Sequence, residues 1–352
     1  MGIEIAEPLG SDVVRVGLIG AGRIGSSHAQ LIAERVPGAR LVAVADPRPA
    51  AGEELAARFG ARSFTDPAEL IVSDEVDAVV IAATTEAHAD LIVAAARAGK
   101  GVFCEKPMSL TLADADRAIA AADEAGVVLQ VGFNRRFDAG FRAAYDAVAA
   151  GAIGSVQLMR SLTRDPGLAN PAAVPPWTIF LLTLIHDFDT LLWLNPGAEP
   201  VEVYATADAL VAPDFKDAGL LDTAVVVITF DNGARAVAEA NFSASYGYDV
   251  RGEVFGSRGM VTAGDGNRTS MRLFSAEGRS NDTARGDVEL MRDAYTAEFV
   301  EFASVVREGR EPYVSGRDAR RALQVALACI ESVQRHAPVA IDRVDVAPEA
   351  VR

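Results

Sequence analysis

Two side chains stand where their type and surroundings could do chemistry. Lys106 sits in Glu105-Lys106-Pro107, directly after the apolar run Gly101-Val102-Phe103-Cys104. A lysine at the carboxyl end of a parallel strand, followed by a proline that stiffens the turn, can donate a hydrogen bond to a ligand oxygen in the crevice where open α/β sheets bind ligands. His186 lies in Thr183-Leu184-Ile185-His186-Asp187-Phe188-Asp189, a helical stretch that is otherwise largely apolar. Its imidazole titrates near neutral pH and can accept a hydroxyl proton as a general base. A surface lysine and a satisfied core histidine are the ordinary alternatives. Asp189 shares the His186 face at i+3 and can orient the ring, whereas Asp187 points elsewhere, to solvent or a domain boundary.

These groups need elements to position them. The run Val13-Val14-Arg15-Val16-Gly17-Leu18-Ile19 reads as a strand that ends in Gly20-Ala21-Gly22-Arg23-Ile24-Gly25 and passes straight into a helical pattern. That is the fingerprint of a dinucleotide site: Gly20 for the tight turn, Gly22 for close backbone approach to a pyrophosphate, Gly25 for close helix packing. A second apolar strand, Leu41 to Ala45, ends in Asp46, 26 residues after Gly20. A carboxylate there accepts hydrogen bonds from ribose hydroxyls, which points to NAD, while Arg48 leaves NADP open.

Residues 13 to 131 alternate short β-branched runs with Ala-rich amphipathic segments, the pattern of a parallel sheet covered on both faces. Strands are expected at Val13–Ile19, Arg40–Ala45, Ala78–Ala82, Val102–Cys104 and Val127–Val131, with helices at Pro49–Phe59, Ala87–Ala98 and Leu112–Ala125. After about Asn134 the pattern changes to a helix, Ala139–Ala150, and then long alternating stretches at Thr223–Phe230 and Ala234–Phe242. Asn232-Gly233 between them predicts a type I′ hairpin turn. Helices at about Val288–Glu308 and Gly316–His336 follow, and the tail from Ala337 can add a short strand or be loosely held. The division expected is a dinucleotide-binding domain over 1–133 and a substrate-binding and oligomerisation domain over 134–352.

The 352 residues are 50% hydrophobic and 23% charged, enough for ample core in two domains. A formal net charge of −16 disfavours nucleic acid and anionic membranes as partners, because both need clustered cations. No apolar stretch approaches a bilayer span and the start has no signal-peptide pattern, so the cytoplasm is the expected location. Cys104 and Cys329 predict buried reduced thiols, and the four histidines show no metal-ligand spacing. His28 and His336 are expected on helix surfaces.

The GAGRIG start, Cys104-Glu105-Lys106-Pro107, Gly132-Phe133-Asn134-Arg135-Arg136-Phe137-Asp138, Ile185-His186-Asp187-Phe188-Asp189 and Tyr246-Gly247-Tyr248-Asp249 together resemble the glucose-fructose oxidoreductase / inositol dehydrogenase family over about Val13 to Pro338. The resemblance implies an N-terminal Rossmann doubly wound parallel sheet. It also implies a C-terminal α+β domain with a large open, mostly antiparallel sheet that makes subunit contacts in a homo-oligomer, a dimer or tetramer. It implies that Lys106 and His186 flank a reacting alcohol, and that Thr84, Thr85 and His88 lie along the cofactor with Glu105. As bare sequence, Thr84-Thr85 is a helix start with Thr85 as cap.

The activity expected is hydride transfer between nicotinamide and a secondary hydroxyl of a cyclic polyol, sugar or glycoside. Asn134, Arg135, Arg164, Asp165 and Tyr248 could supply hydroxyl-binding groups, and Trp177 could stack on a ring. One departure stands out: relatives usually carry an aspartate one turn before the histidine, where this chain has Leu182. A reductase of a less polar or keto-sugar substrate, or a non-catalytic cofactor sensor, are the rival readings.

Overall fold

A computed structural model describes residues 13–342 as two compact units. The first unit comprises residues 13–137 together with Asp293–Arg320. Its sheet has six parallel strands: β1 (Val14–Ile19), β2 (Ala39–Ala45), β3 (Arg62–Phe64), β4 (Ala78–Ile81), β5 (Gly101–Cys104) and β6 (Leu129–Val131). The spatial order is β3-β2-β1-β4-β5-β6, so the direction of winding reverses between β1 and β4. β4 and β5 are buried along their whole length, which is why their sequences run apolar without alternation. β3 escapes a sequence reading because it has three residues and only Phe64 is buried.

The helices follow their local signals closely. Pro49–Phe59 opens on a proline and stops at Gly60, and Leu112–Ala125 is capped by the Thr111 side chain and stops at Gly126; both glycines are left-handed. The helix Arg292–Glu308 belongs to this unit although it follows the second unit in sequence. Its Phe299 ring lies 4.7 Å from Phe103 of β5 and 4.8 Å from His28. Those contacts build the aromatic core against β5, the strand that leads into Lys106.

The second unit comprises Asp138–Arg292 and residues 321–342. It carries β7 (Val156–Arg164), β8 (Pro200–Asp208), β9 (Thr223–Phe230), β10 (Arg235–Asn241), β11 (Asp249–Gly256) and β12 (Gly259–Ala263). With β15 (Val339–Ala340) these form one sheet in the order β12-β11-β7-β10-β9-β8-β15, while β13 (Asn267–Ser275) and β14 (Gly278–Thr283) make a separate ribbon. All pairings in the large sheet are antiparallel except β10 with β7.

The hairpin between β9 and β10 forms as expected, but its turn differs. The Gly233 N–H donates to Phe230 O at 3.0 Å, and Gly233 at φ 88° is the residue with positive φ; Asn232 is not left-handed. A three-residue loop with glycine in the left-handed position therefore replaces the type I′ turn, and the extra residue is absorbed as a bulge. No helix among the described residues is long and apolar enough to cross a membrane.

Candidate active site

The glycine loop has the shape that a dinucleotide requires. Gly20 has φ 104°, and a Cβ there would lie 2.5 Å from Ala82 O. At Gly25 a Cβ would lie 1.9 Å from Gly20 O, so the helix Arg23–Arg35 can seat against the strand only with glycine in that place. At Gly22 an added Cβ would meet nothing within 4 Å, and this helix start has no side-chain cap. A helix start without a side-chain cap and with open space before it fits a pyrophosphate. Arg23 and Ile24 open that helix.

Asp46 closes the other side of the loop. Its buried carboxylate accepts the Ala21 N–H at 2.8 Å and the Arg48 N–H at 2.9 Å. Burial works against the charge, but the hydrogen bonds from Arg48 and from the Ala21 backbone outweigh it and hold the carboxyl below the usual aspartate range. The open space at Gly22 and the acceptor at Asp46 thus suit a dinucleotide with free ribose hydroxyls.

Lys106 is presented by a turn gripped from both ends. Glu105 accepts the Lys106 N–H at 3.2 Å, and His88 Nδ1 lies 2.9 Å from Pro107 O. The Lys106–Pro107 peptide is cis. His88 is buried, with its Nε2 3.1 Å from Ala83 O, so it ties the end of β4 to the lysine turn. The neighbouring helix is Thr85–Arg97, which makes Thr84 the cap position and corrects the assignment of Thr85; the Thr84 side chain makes no capping bond. Asn134 and Arg135 lie buried in a short 3-10 turn, Asn134–Phe137, that ends this part of the first unit.

His28 corrects a second expectation. It has no exposed surface, and its Nε2 lies 2.5 Å from Glu105 Oε1. The helix face set by Gly25 continues through His28, Ala29 and Ile32, so the histidine must point at the sheet. Burial raises the cost of the Glu105 charge, yet the hydrogen bond and charge of His28, with the charge of Lys106, keep its carboxyl below the usual range. His336 is exposed, just past the helix Gly316–Arg335.

In the second unit His186 sits on the helix Ile185–Trp193, which continues a π-helical stretch, Ile179–Leu184. From Ile179 to Asn195 only Leu181, Leu182 and His186 escape burial, so these three form the open face of the segment. In a π turn residues five apart come into line, so Leu181 as well as Leu182 flanks the histidine. Asp187 is wholly buried rather than solvated: it accepts Ser161 Oγ at 2.5 Å and Thr163 Oγ1 at 2.6 Å. Those bonds pin the histidine helix to β7. Asp189 is buried as well.

The strand end at Arg164 collects other expected residues. Arg164 pairs in register with Asp249, next to Tyr248, and Ala244 N–H donates to Asp165 O at 2.8 Å. The Arg164 side chain nevertheless projects to the face opposite Ser161 and Thr163, where it pairs with Glu239 and lies 3.5 Å from Tyr246 Oη. It is therefore turned away from the His186 helix. Trp177, at φ 64°, borders a cavity of about 500 Å³ with Pro176, Tyr204, Lys216 and His336; His186, Leu182 and Tyr248 do not line it.

Cys104 and Cys329 are both buried and free, and burial pushes their thiols up.

A pyrophosphate-shaped loop, an acidic residue at the second strand and a lysine just past the carboxyl end of β5 define an NAD-binding oxidoreductase. Residues 14–133 match the model of the oxidoreductase family with an NAD-binding Rossmann fold, and residues 145–341 match that family's C-terminal alpha/beta domain. The chain belongs to this family, GFO_IDH_MocA. It is 39% identical over 340 residues to the myo-inositol 2-dehydrogenase of Thermotoga maritima, covering 94% of this chain and 99% of the relative. The scyllo-inositol 2-dehydrogenase (NAD(+)) of Bacillus subtilis is 36% identical over 332 residues, with 94% and 96% covered. The crystal structure of scyllo-inositol dehydrogenase from Lactobacillus casei with bound NAD(H) and scyllo-inositol superposes with a TM-score of 0.89 at 26% identity, covering 94% of this chain and 99% of that one.

Proposed function

We propose that the protein oxidises, reversibly, a secondary hydroxyl on a cyclic polyol, sugar or glycoside, with NAD as cofactor. The observation that carries this reading is the gripped Lys106 turn at the end of β5, in a chain that also presents His186 on the open face of a buried helix. The inositol dehydrogenases among its relatives support the substrate class.

Gly20, Gly22, Arg23, Ile24 and Gly25 would hold the pyrophosphate, Asp46 the ribose, and Thr84, Thr85, His88 and Glu105 the remainder of the cofactor. When bound, nicotinamide supplies the hydride acceptor. His186 takes the hydroxyl proton, while Lys106 donates a hydrogen bond to the substrate oxygen as negative charge grows there. Asn134, Arg135, Asp165, Trp177 and Tyr248 are assigned to the substrate; Arg164 is left out because it turns to the other sheet face. Arg48 keeps NADP as the lesser cofactor.

The same reading places the enzyme in the cytoplasm as a homo-oligomer. Support for assembly comes from one face of the large sheet, where Leu158, Tyr204, Val225, Val227, Phe255 and Met260 are exposed together.

Leu181 and Leu182 beside His186 favour a second reading, a ring less hydroxylated than inositol or its keto form. The test is a panel of inositols, hexoses, glycosides and their keto forms, followed by absorbance of the reduced cofactor. Turnover of a ring alcohol or ketone is expected. Tight cofactor binding with no turnover across the panel would replace the enzyme by a sensor.

A further inference from the structure

Behind the Lys106 turn lies a group that the proposed mechanism does not use. Glu298 is on the helix Arg292–Glu308, with no exposed surface, on the face that also carries Tyr295, Phe299 and Phe302. That face packs against His28 and Phe103. Among the described residues neither carboxyl oxygen of Glu298 has a hydrogen-bond partner, and the same holds for His28 Nδ1 and Gln130 Oε1. The Gln130 amide donates to Glu298 O at 2.9 Å, which fixes this turn of the helix to β6.

The titratable groups around Glu298 come from two other elements, His28 on the first helix and Glu105 just past the end of β5, and from Tyr295 one turn earlier on its own helix. Glu105 already engages His28 at 2.5 Å. A second carboxylate, buried without a donor beside that anion, would carry a prohibitive desolvation cost, and the available response is to keep its proton. Burial first, and then the charge of Glu105, push the Glu298 carboxyl well above the usual glutamate range.

We infer that Glu298 is held as a neutral acid beside the His28–Glu105 pair, and that these three buried groups are positioning residues for Lys106. The chain of contacts is direct. His28 fixes Glu105, Glu105 holds the Lys106 N–H, and a neutral Glu298 leaves Glu105 as the single anion beneath the turn. With two anions there, repulsion would pull the Glu105 carboxylate from its place.

The role for Lys106 rests on the activity proposed above; the charge state of Glu298 does not, so two tests use no substrate. An infrared band of a protonated carboxylic acid is expected in the unmodified protein at neutral pH, absent in Glu298→Gln; its absence from the unmodified protein overturns the inference. Thermal midpoints against pH give the second. A raised folded-state pKa means that the folded protein keeps a proton the unfolded chain releases, so stability falls as pH rises from the usual glutamate range toward the folded value. Glu298→Gln lacks that fall, and its midpoint gains on the unmodified protein as pH rises; parallel curves overturn the inference.

For positioning, His28→Gln is expected to lower kcat by about 10- to 100-fold, the loss that misplacing a reacting group brings, with cofactor Kd and substrate KM within about twofold. His28→Asn makes the same test if His28→Gln does not fold. Unchanged kcat, or an equal loss in cofactor affinity, overturns the positioning role. Absence of turnover in the unmodified protein counts against the activity alone, since the band and the midpoints still report on Glu298.

Discussion

Asp46 and Arg48 face each other across a two-residue turn, with Arg48 Nε and Nη2 3.0 and 3.1 Å from the two oxygens of the Asp46 carboxylate. The arginine is thus drawn toward the carboxylate instead of standing free to meet a 2′-phosphate. NAD is expected to bind more tightly than NADP, and Asp46→Ala to raise the Kd for NAD about 10- to 100-fold, the equivalent of ~1.5–3 kcal/mol for a hydrogen bond to a charged group. The same variant should improve NADP relative to NAD. Because the Asp46 carboxyl is held below the usual range, the preference should persist through neutral pH and fade only as acid protonates it. Titration with both cofactors across pH checks this, and comparable or tighter NADPH binding to the unmodified protein would overturn it.

Lys106→Ala and His186→Ala should each lower turnover by roughly two to four orders of magnitude while cofactor affinity stays within a few fold. Full activity in His186→Ala would return that residue to a packing role.

Leu182→Asp is expected to raise kcat/KM for a free inositol, because a buried hydroxyl without a partner costs about 1–3 kcal/mol. The π-helical stretch sharpens this into a comparison with Leu181→Asp, which the same geometry brings near His186. The gain should appear at 182 and not at 181. Efficient inositol oxidation by the unmodified chain would show that recognition does not depend on this position.

Gly25→Ala should lose cofactor binding and destabilise the fold by about 1–3 kcal/mol, as overpacking usually does. Backbone at 1.9 Å cannot move aside as a flexible side chain would. Calorimetric unfolding with and without NAD measures both effects; a Gly25→Ala variant that still binds NAD normally would contradict the close-approach argument.

Most of the first unit can be read from the chain because its signals are local. The helices Pro49–Phe59 and Leu112–Ala125 fall where their start and stop residues put them. The buried chemistry is harder to read. His28 looks like a surface residue until Gly25 is used as a phase marker: a glycine needed for close packing must face the sheet, and a residue three further on shares that face. Asp187 is easily misplaced because its partners, Ser161 and Thr163, are distant in sequence and nothing local announces them. Glu298 carries no signal, since a glutamate in an amphipathic helix ordinarily faces water. The turn at Asn232-Gly233 is legible as a hairpin, but one added residue changes its geometry.

The return of residues 293–320 to the first unit bears on how the gene can be dissected. A fragment ending near residue 133 would carry every residue assigned to the cofactor, yet it would lack Phe299 and Phe302, which cover Phe103, and Phe299 and Tyr295, which cover His28. The cofactor half is therefore not portable as one stretch of DNA. A transplantable version would need the later helix spliced back on through a linker, and random truncation libraries should yield no soluble nucleotide-binding product from the N-terminal third alone.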